Sequence, residues 1–187
     1  MSLNDLAARA VVLFVDQQEG IAERGSSADP KTAGKMAATL ARAAQIYDIP
    51  IVVSAVALGM EPKLIKPLRD CLGQEHRILT RVGTDSFDDE TIKGTIEATG
   101  RKTLLLSGVV TEVAVQRAAL HALEEGYEVR VVLDACNGAS ERSEKASMER
   151  MVHAGIIMTS VPQTLGELAT NFSDPKAQQA IGLLMGG

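Results

Sequence analysis

The chain has 187 residues, of which 45% are hydrophobic and 23% are charged, and this predicts one compact domain with a sizeable core. A formal net charge of −5, without a long lysine or arginine run, argues against binding to nucleic acid phosphates. Aromatic residues make up only 3%, so bases would find few stacking platforms, and no apolar run approaches the roughly 20 residues that span a bilayer. We therefore expect no nucleic acid or membrane partner.

The cysteines and the N-terminal residues indicate the cellular compartment of the protein. Cys71 and Cys136 form neither a CxxC pair nor a disulfide framework. The N-terminal MSLNDLAARA lacks a basic region followed by an apolar run, so we expect no signal peptide. Together these features favour a reducing, cytoplasmic location.

Short segments rich in valine, isoleucine and leucine recur along the chain at a regular interval. Their apolar residues are continuous rather than alternating, which is typical of strands covered on both faces. The six predicted strands lie at 10–15, 51–56, 77–80, 103–107, 128–133 and 156–159.

Helical patterns separate the predicted strands. The first begins at the Asp29-Pro30 pair, a cap followed by proline at the first helical position, and runs to about Tyr47. A short helix is expected over 62–72, and residues 86–88 are the expected cap of the helix that follows them.

The second half of the chain continues this alternation. Residues 161–170 have a helical pattern, and the tail at 174–185 repeats the Asp-Pro helix start. Left-handed glycines are expected to end the helical stretches at Gly100, Gly126 and Gly155.

Strands that alternate with helices predict an α/β fold, here a three-layer α/β/α sandwich with a six-stranded parallel sheet. Open parallel sheets bind ligands at the carboxyl ends of their strands, where the strand order reverses. The residues that follow predicted strands are therefore the candidates for a site: Asp16, Arg81, 109–114 and 134–137.

Each candidate side chain has a functional and a structural interpretation. Asp16 is either a carboxylate that moves a proton or a residue that ends a strand and caps a turn. Arg81 is either the partner of Asp16 or of an anionic group, or a solvated loop charge. Sequence position alone leaves both alternatives open.

The stretch GVVTEVAVQRAAL, residues 108–120, reads as a strand that runs into a helix capped by Thr111. Position 114 then lies in the first helical turn, where unpaired N–H groups would activate a thiolate and bind an oxyanion. The residue there is Ala114, which can be neither nucleophile nor proton carrier. Its other interpretation is a good helix former in a packed helix.

The other reactive side chains are interpreted as structural. Cys136 follows a strand, but a free cysteine is more often a small buried apolar residue, and Cys71 has no partner in view. No histidine has a second ligand at metal spacing, and phosphate-binding glycine loops are missing, so we expect no metal and no cofactor. The histidines are His76, His121 and His153.

Four segments together resemble the isochorismatase-like cysteine hydrolases, namely VVLFVDQQEGI, TRVGTDSF, LLLSGVVTEVAV and EEGYEVRVVLDAC. With the strand spacing, the resemblance covers roughly residues 10–160. Within the family, the chain is most similar to a branch of small uncharacterised hydrolases that form octamers. The resemblance implies the Rossmann-like isochorismatase fold and a small-molecule substrate.

The resemblance also implies an Asp, Lys and Cys triad that hydrolyses amides or related bonds through a thioester. Asp16 matches the family's Asp. Arg81 stands at the Lys, a mild departure because the branch also tolerates Arg there, whereas Ala114 stands at the nucleophile, a serious departure. A cis peptide is implied at Val109–Val110, with the N–H groups of Val110 and Ala114 as oxyanion donors. The metal cluster of the family's nicotinamidases has no counterpart in SAVALGMEPK.

Three hypotheses follow. The chain is an amide hydrolase that has lost its nucleophile, so that thiol chemistry is absent. Alternatively, it is an isochorismatase-type enzyme that cleaves a vinyl ether with Asp16 as the acid, provided that apolar surroundings favour the protonated carboxyl. In the third, it is a non-catalytic binding or assembly protein on the same fold.

Assembly is inferred from the tail. Residues 1–187 are expected to form a single domain, and the apolar segment AIGLLM within 174–187 is expected to be buried on its own sheet or on a neighbouring subunit. The resemblance favours a neighbour and hence a homo-oligomer, either a dimer or an octamer.

Overall fold

The computed structural model describes residues 6–57, 59 and 61–185 of the chain. One all-parallel sheet has the strand order β3-β2-β1-β4-β5-β6, which confirms the predicted α/β class and its six strands. The strands are β1 Ala10–Val15, β2 Ile51–Val56, β3 Ile78–Arg81, β4 Thr103–Gly108, β5 Glu128–Val132 and β6 Ile157–Thr159. The helices are α1 Leu6–Arg9, α2 Pro30–Ile46, α3 Lys66–Leu72, α4 Glu90–Ala98, α5 Gln116–Glu124, α6 Glu141–Ala154, α7 Val161–Leu168 and α8 Pro175–Gly182.

Helices cover both faces of the sheet and create two apolar cores. Alternate residues of β1 point to opposite faces, so Val12 and Phe14 pack with α2 and α7, whereas Val11 and Leu13 pack with α4 and α5. All six residues of β1 are buried. Burial on both faces explains why the strand sequences are continuously apolar.

Several boundaries differ from the sequence predictions. β3 is displaced by one residue, so Arg81 is the last residue of the strand instead of the first residue after it. The helix expected over 62–72 begins only at Lys66. The cap of α4 is Asp89 and not residues 86–88, because the Asp89 carboxylate accepts the N–H groups of Thr91 and Ile92.

The two Asp-Pro helix starts and the glycine that ends α6 are as predicted. The Asp29 carboxylate accepts the N–H of Thr32, 3.0 Å away, at the start of α2, and the Asp174 carboxylate accepts the N–H of Lys176 at the start of α8. Gly155 ends α6 with a φ of 101°, a left-handed conformation that glycine adopts without a steric penalty.

The C-terminal helix packs on its own chain. Ala177 and Ala180 of α8 are buried, and α8 lies against α2 and α7. Leu184 and Met185 remain exposed, so contact of the last residues with a neighbouring subunit stays a prediction. Within the described ranges, no helix has both the length and the apolar character that crossing a bilayer requires.

The strand order reverses between β1 and β4. The chain runs from β1 to β2 and β3 on one side and then returns to add β4 on the other side, so a crevice opens at the carboxyl ends of β1 and β4. Val15 pairs with Gly108 there. A Cβ on Gly108 would lie 2.3 Å from the Val15 carbonyl oxygen, so the close approach of the two strand ends requires glycine.

Replacement of Gly108 by alanine therefore tests this approach. We expect Gly108→Ala to lower the free energy of unfolding by about 1–3 kcal/mol, because backbone atoms cannot move aside as a side chain can. Gly94→Ala in α4 is the matched control, since nothing lies within 4 Å of its added Cβ. We expect the free energy of unfolding of the control, measured by urea unfolding, to rise by about 0.5–1 kcal/mol. Equal effects of the two substitutions would contradict the steric argument.

Candidate active site

The centre of the crevice is an ion pair between the ends of two strands. Asp16 follows β1 and Arg81 ends β3, with β2 between them. Arg81 donates from Nη1 to Asp16 Oδ1 at 2.8 Å and from Nη2 to Oδ2 at 2.7 Å. The two side chains are only 1% and 6% exposed, so this is a buried bidentate pair.

Neighbouring groups make further hydrogen bonds to both side chains. The Val56 N–H donates to Asp16 Oδ1 at 2.7 Å. Arg81 also donates to the hydroxyl of Ser54 and to the carbonyl oxygen of Thr84, each at 3.3 Å. These donors hold the carboxylate in place, and an arginine does not release a proton in proteins. The pair therefore sets the charge and the shape of the site, but Arg81 cannot transfer a proton.

The strand-to-helix turn after β4 has an unusual start. The Val109–Val110 peptide bond is cis, as the resemblance implies, and Thr111–Val115 forms a π-helical turn that leads into α5. Val110 is the cap of this turn, so the prediction of Thr111 as the cap was wrong. The Thr111 hydroxyl is used elsewhere, because it donates to the Glu144 carboxylate of α6 at 2.6 Å.

The backbone of the turn limits the predicted oxyanion pocket. The Ala114 N–H donates to the Val110 carbonyl oxygen at 3.1 Å, and the Val113 N–H donates to the same oxygen at 3.0 Å. Position 114 thus lacks the unpaired N–H that the sequence suggested. Among the described residues, the Val110 N–H has no such acceptor, so it is the better donor of the two. The oxyanion role of both groups remains a prediction.

Glu112 holds this turn against α6, a contact that the sequence analysis missed. Its carboxylate accepts the Ala139 N–H at 3.0 Å and the Ser143 hydroxyl at the start of α6. A carboxylate is favoured there by the dipole of the helix. Sequence gave no signal for this pairing, because Glu112 and Ser143 are far apart along the chain.

One pocket of about 220 Å³ collects the predicted side chains. Asp16, Arg81 and Ala114 all contribute to its wall. Arg24, which the sequence analysis did not single out, contributes as well. The complete lining consists of Asp16, Ile21, Arg24, Val56, Arg81, Val82, Gly83, Thr84, Val109, Val110, Val113 and Ala114.

The residues that follow β5 lie outside this pocket. Asp134 accepts the Val161 N–H at the start of α7, and burial raises the pKa of Asp134. Asn137 accepts the Ala28 N–H at 3.0 Å and donates to the Ala28 carbonyl oxygen at 3.1 Å. These two side chains support loops around the crevice and do not line it.

Neither cysteine is placed to act as a nucleophile. Cys136 is buried and its thiol donates to the Val132 carbonyl oxygen, while burial raises the pKa of Cys136 to about 12. Burial also raises the pKa of Cys71, on α3. Neither thiol contributes to the wall that Ala114 lines.

His121 has carboxylate neighbours that its sequence spacing did not reveal. Its Nδ1 lies 3.1 Å from Asp85 Oδ2 and 3.5 Å from Asp88 Oδ1, and these three residues form a potential metal-ligand group. Arg117 Nη2 already lies 3.3 Å from the same Asp85 oxygen. The guanidinium of Arg117 therefore already supplies a positive charge beside Asp85. We interpret the group as an ion-pair network that anchors the loop after β3.

Comparison with known proteins agrees with this geometry. The isochorismatase domain matches residues 10–163. The chain is 31% identical over 147 residues to the probable hydrolase YcaC of Escherichia coli K12, which covers 78% of this chain and 71% of that protein.

Two solved structures are similar over almost the whole chain. YcaC from Pseudomonas aeruginosa, solved with hexane-2,5-diol and covalent acrylamide, has a TM-score of 0.86 and 28% identity and covers 95% of this chain and 89% of its own. The Escherichia coli YcaC structure, described as an octameric hydrolase of unknown specificity, has a TM-score of 0.84 and 26% identity and covers 96% and 93%. Because the domain match spans most of the chain, the protein belongs to the isochorismatase domain family.

Proposed function

We propose that this protein binds small amide-like molecules in the crevice and does not perform the thiol-dependent hydrolysis of cysteine hydrolases. The observation that carries the proposal is the position of Ala114, whose methyl group shares one small pocket with the buried Asp16–Arg81 pair. A methyl group cannot attack a carbonyl carbon. The pocket would therefore hold a ligand without forming the thioester.

Arg81, in place of the family's lysine, is a second departure that argues against hydrolysis. A general base must accept and release a proton, and Arg81 stays charged, so it cannot exchange protons as a lysine can. The Pseudomonas aeruginosa YcaC structure is described with covalent acrylamide, itself a small amide, which supports this ligand class.

The isochorismatase-type alternative requires Asp16 to give up a proton. Both of its oxygens already accept hydrogen bonds, from Arg81 and from the Val56 N–H, so both are engaged within the protein. We therefore rank vinyl-ether hydrolysis below ligand binding. Equal rates of isochorismate hydrolysis in the native chain and in Asp16→Asn would eliminate this alternative.

Restoring the missing groups tests the proposal. We expect Ala114→Cys to be alkylated by iodoacetamide at least about tenfold faster than Ala118→Cys, since Ala118 lies one turn further along and is fully buried. Intact-protein mass spectrometry measures the rate. The native Cys71 and Cys136 are present in both variants, so their background is matched.

Turnover requires the proton carrier as well. We expect Ala114→Cys with Arg81→Lys to release ammonia from small amides at least about 100-fold faster than Ala114→Cys alone, because general acid–base catalysis contributes about 10²–10⁴-fold. Ala118→Cys with Arg81→Lys is the control. If Ala114→Cys alkylates no faster than Ala118→Cys, the proposed site is wrong.

The ion pair also makes a stability prediction. Asp16→Asn leaves the Arg81 charge buried without a partner, so we expect the free energy of unfolding to fall by about 3–5 kcal/mol. The double change Asp16→Asn, Arg81→Met should cost less than the single one. Asp70→Asn breaks the exposed Lys66 pair and should change stability by less than about 1 kcal/mol. Urea unfolding of the four proteins is the measurement, and equal losses for Asp16→Asn and Asp70→Asn would contradict the argument.

We also propose that the protein assembles into a homo-oligomer in the cytoplasm. The octamer named for Escherichia coli YcaC supports assembly, as do large apolar side chains left exposed in the single chain, including Phe172 and Met185. The unpaired thiols support a reducing compartment. Light scattering should give a mass several times that of one chain, and a monomer at micromolar concentration would overturn this proposal.

A further inference from the structure

We propose that the pocket selects ligands that carry a carboxylate, and that Arg24 is the residue that binds this carboxylate. The inference rests on the proposed function, since it names the ligand class of the same pocket. A short molecule with an amide at one end and a carboxylate at the other fits it.

The pocket has a local positive charge. Three charged side chains line it, Asp16, Arg24 and Arg81. Arg81 is neutralised by Asp16 through two hydrogen bonds that use both carboxylate oxygens. The remaining charge is the guanidinium of Arg24, so the pocket is locally positive although the whole chain carries a net charge of −5.

The guanidinium of Arg24 is available to bind a ligand. Its Nε donates to the Gly20 carbonyl oxygen at 3.1 Å, and neither terminal nitrogen has a hydrogen-bond partner among the described residues. The ion pairs formed within the described residues do not include Arg24. The neighbouring Glu23 carboxylate is engaged by the Gly20 N–H at 2.7 Å. A guanidinium of this kind matches the two oxygens of a carboxylate.

The size and the polarity of the pocket suit a short molecule with two polar ends. A volume of about 220 Å³ corresponds to roughly seven water molecules at about 30 Å³ each. Arg24 is exposed, whereas Asp16, Arg81 and Ala114 are buried, so Arg24 stands at the mouth and the amide-binding groups lie deeper. Valine side chains line the space, which suits a short apolar stem between the two ends.

A pair of alkylating reagents tests the charge selection. Iodoacetate and iodoacetamide have the same number of non-hydrogen atoms and differ in carrying a carboxylate or an amide. Each forms a C–S bond with the thiolate of Ala114→Cys and releases iodide. We expect the rate ratio of iodoacetate to iodoacetamide to exceed that of free cysteine by about tenfold, as an ionic hydrogen bond predicts.

Arg24→Gln in the Ala114→Cys background should return the ratio to that of free cysteine. Arg142→Gln is the matched control, because it removes the same charge from an exposed position on α6 that does not line the pocket. High salt should lower the ratio as well. A ratio that is equal to that of free cysteine, or that responds alike to both arginine changes, would overturn the inference.

The native chain provides an independent readout. Succinamate and succinamide also match in size and differ by one carboxylate. We expect calorimetry to give about tenfold tighter binding of succinamate, and Arg24→Gln to remove the difference while Arg142→Gln keeps it. Equal binding of the two probes would overturn the carboxylate selection and leave the proposed function standing. No binding of either probe at millimolar concentration would contradict both.

Discussion

The crevice depends on one interaction, the buried bidentate pair of Asp16 and Arg81. The register of β1, β2 and β3 places Val56 beside Arg81 and Val15 beside Ser54, so the two charges meet above the end of the middle strand. Neither side chain can be buried alone, since an isolated charge loses its hydration without compensation. Burial of either charge therefore requires its partner, whether or not catalysis occurs.

The pair therefore keeps its shape whatever chemistry the site performs. Arg81, at the position that the resemblance gives to a lysine, has a permanent charge and two parallel hydrogen bonds, which suit a structural pair. Ala114, at the position that the resemblance gives to the nucleophile, lies in the π-helical turn before α5, whose buried residues are also alanines. In the proposed function, these two residues retain packing and charge balance without supplying a proton carrier or a nucleophile.

The sequence predicted those features that depend on short-range patterns. Continuous apolar runs gave the six strands, and the ends of those strands gave Asp16 and Arg81. Prediction was wrong where a side chain has a distant competitor, as with the Thr111 hydroxyl, which bonds to Glu144 of α6 instead of capping its own helix. The neighbours of His121 and the role of Arg24 also arise from folding, because no spacing along the chain encodes them.

The mouth of the pocket is as firmly built as its floor. Gly25 follows Arg24, and a Cβ there would lie 2.4 Å from the side chain of Asn137, so the loop lies directly against the residue that follows β5. The same side chain bonds to Ala28 through its donor and its acceptor. The loop that carries Arg24 is thus packed against the residue after β5, and an ordered loop lowers the entropic cost of ligand binding. An ordered loop beside Ala114 is the arrangement expected if the pocket binds a ligand without cleaving it, as we propose.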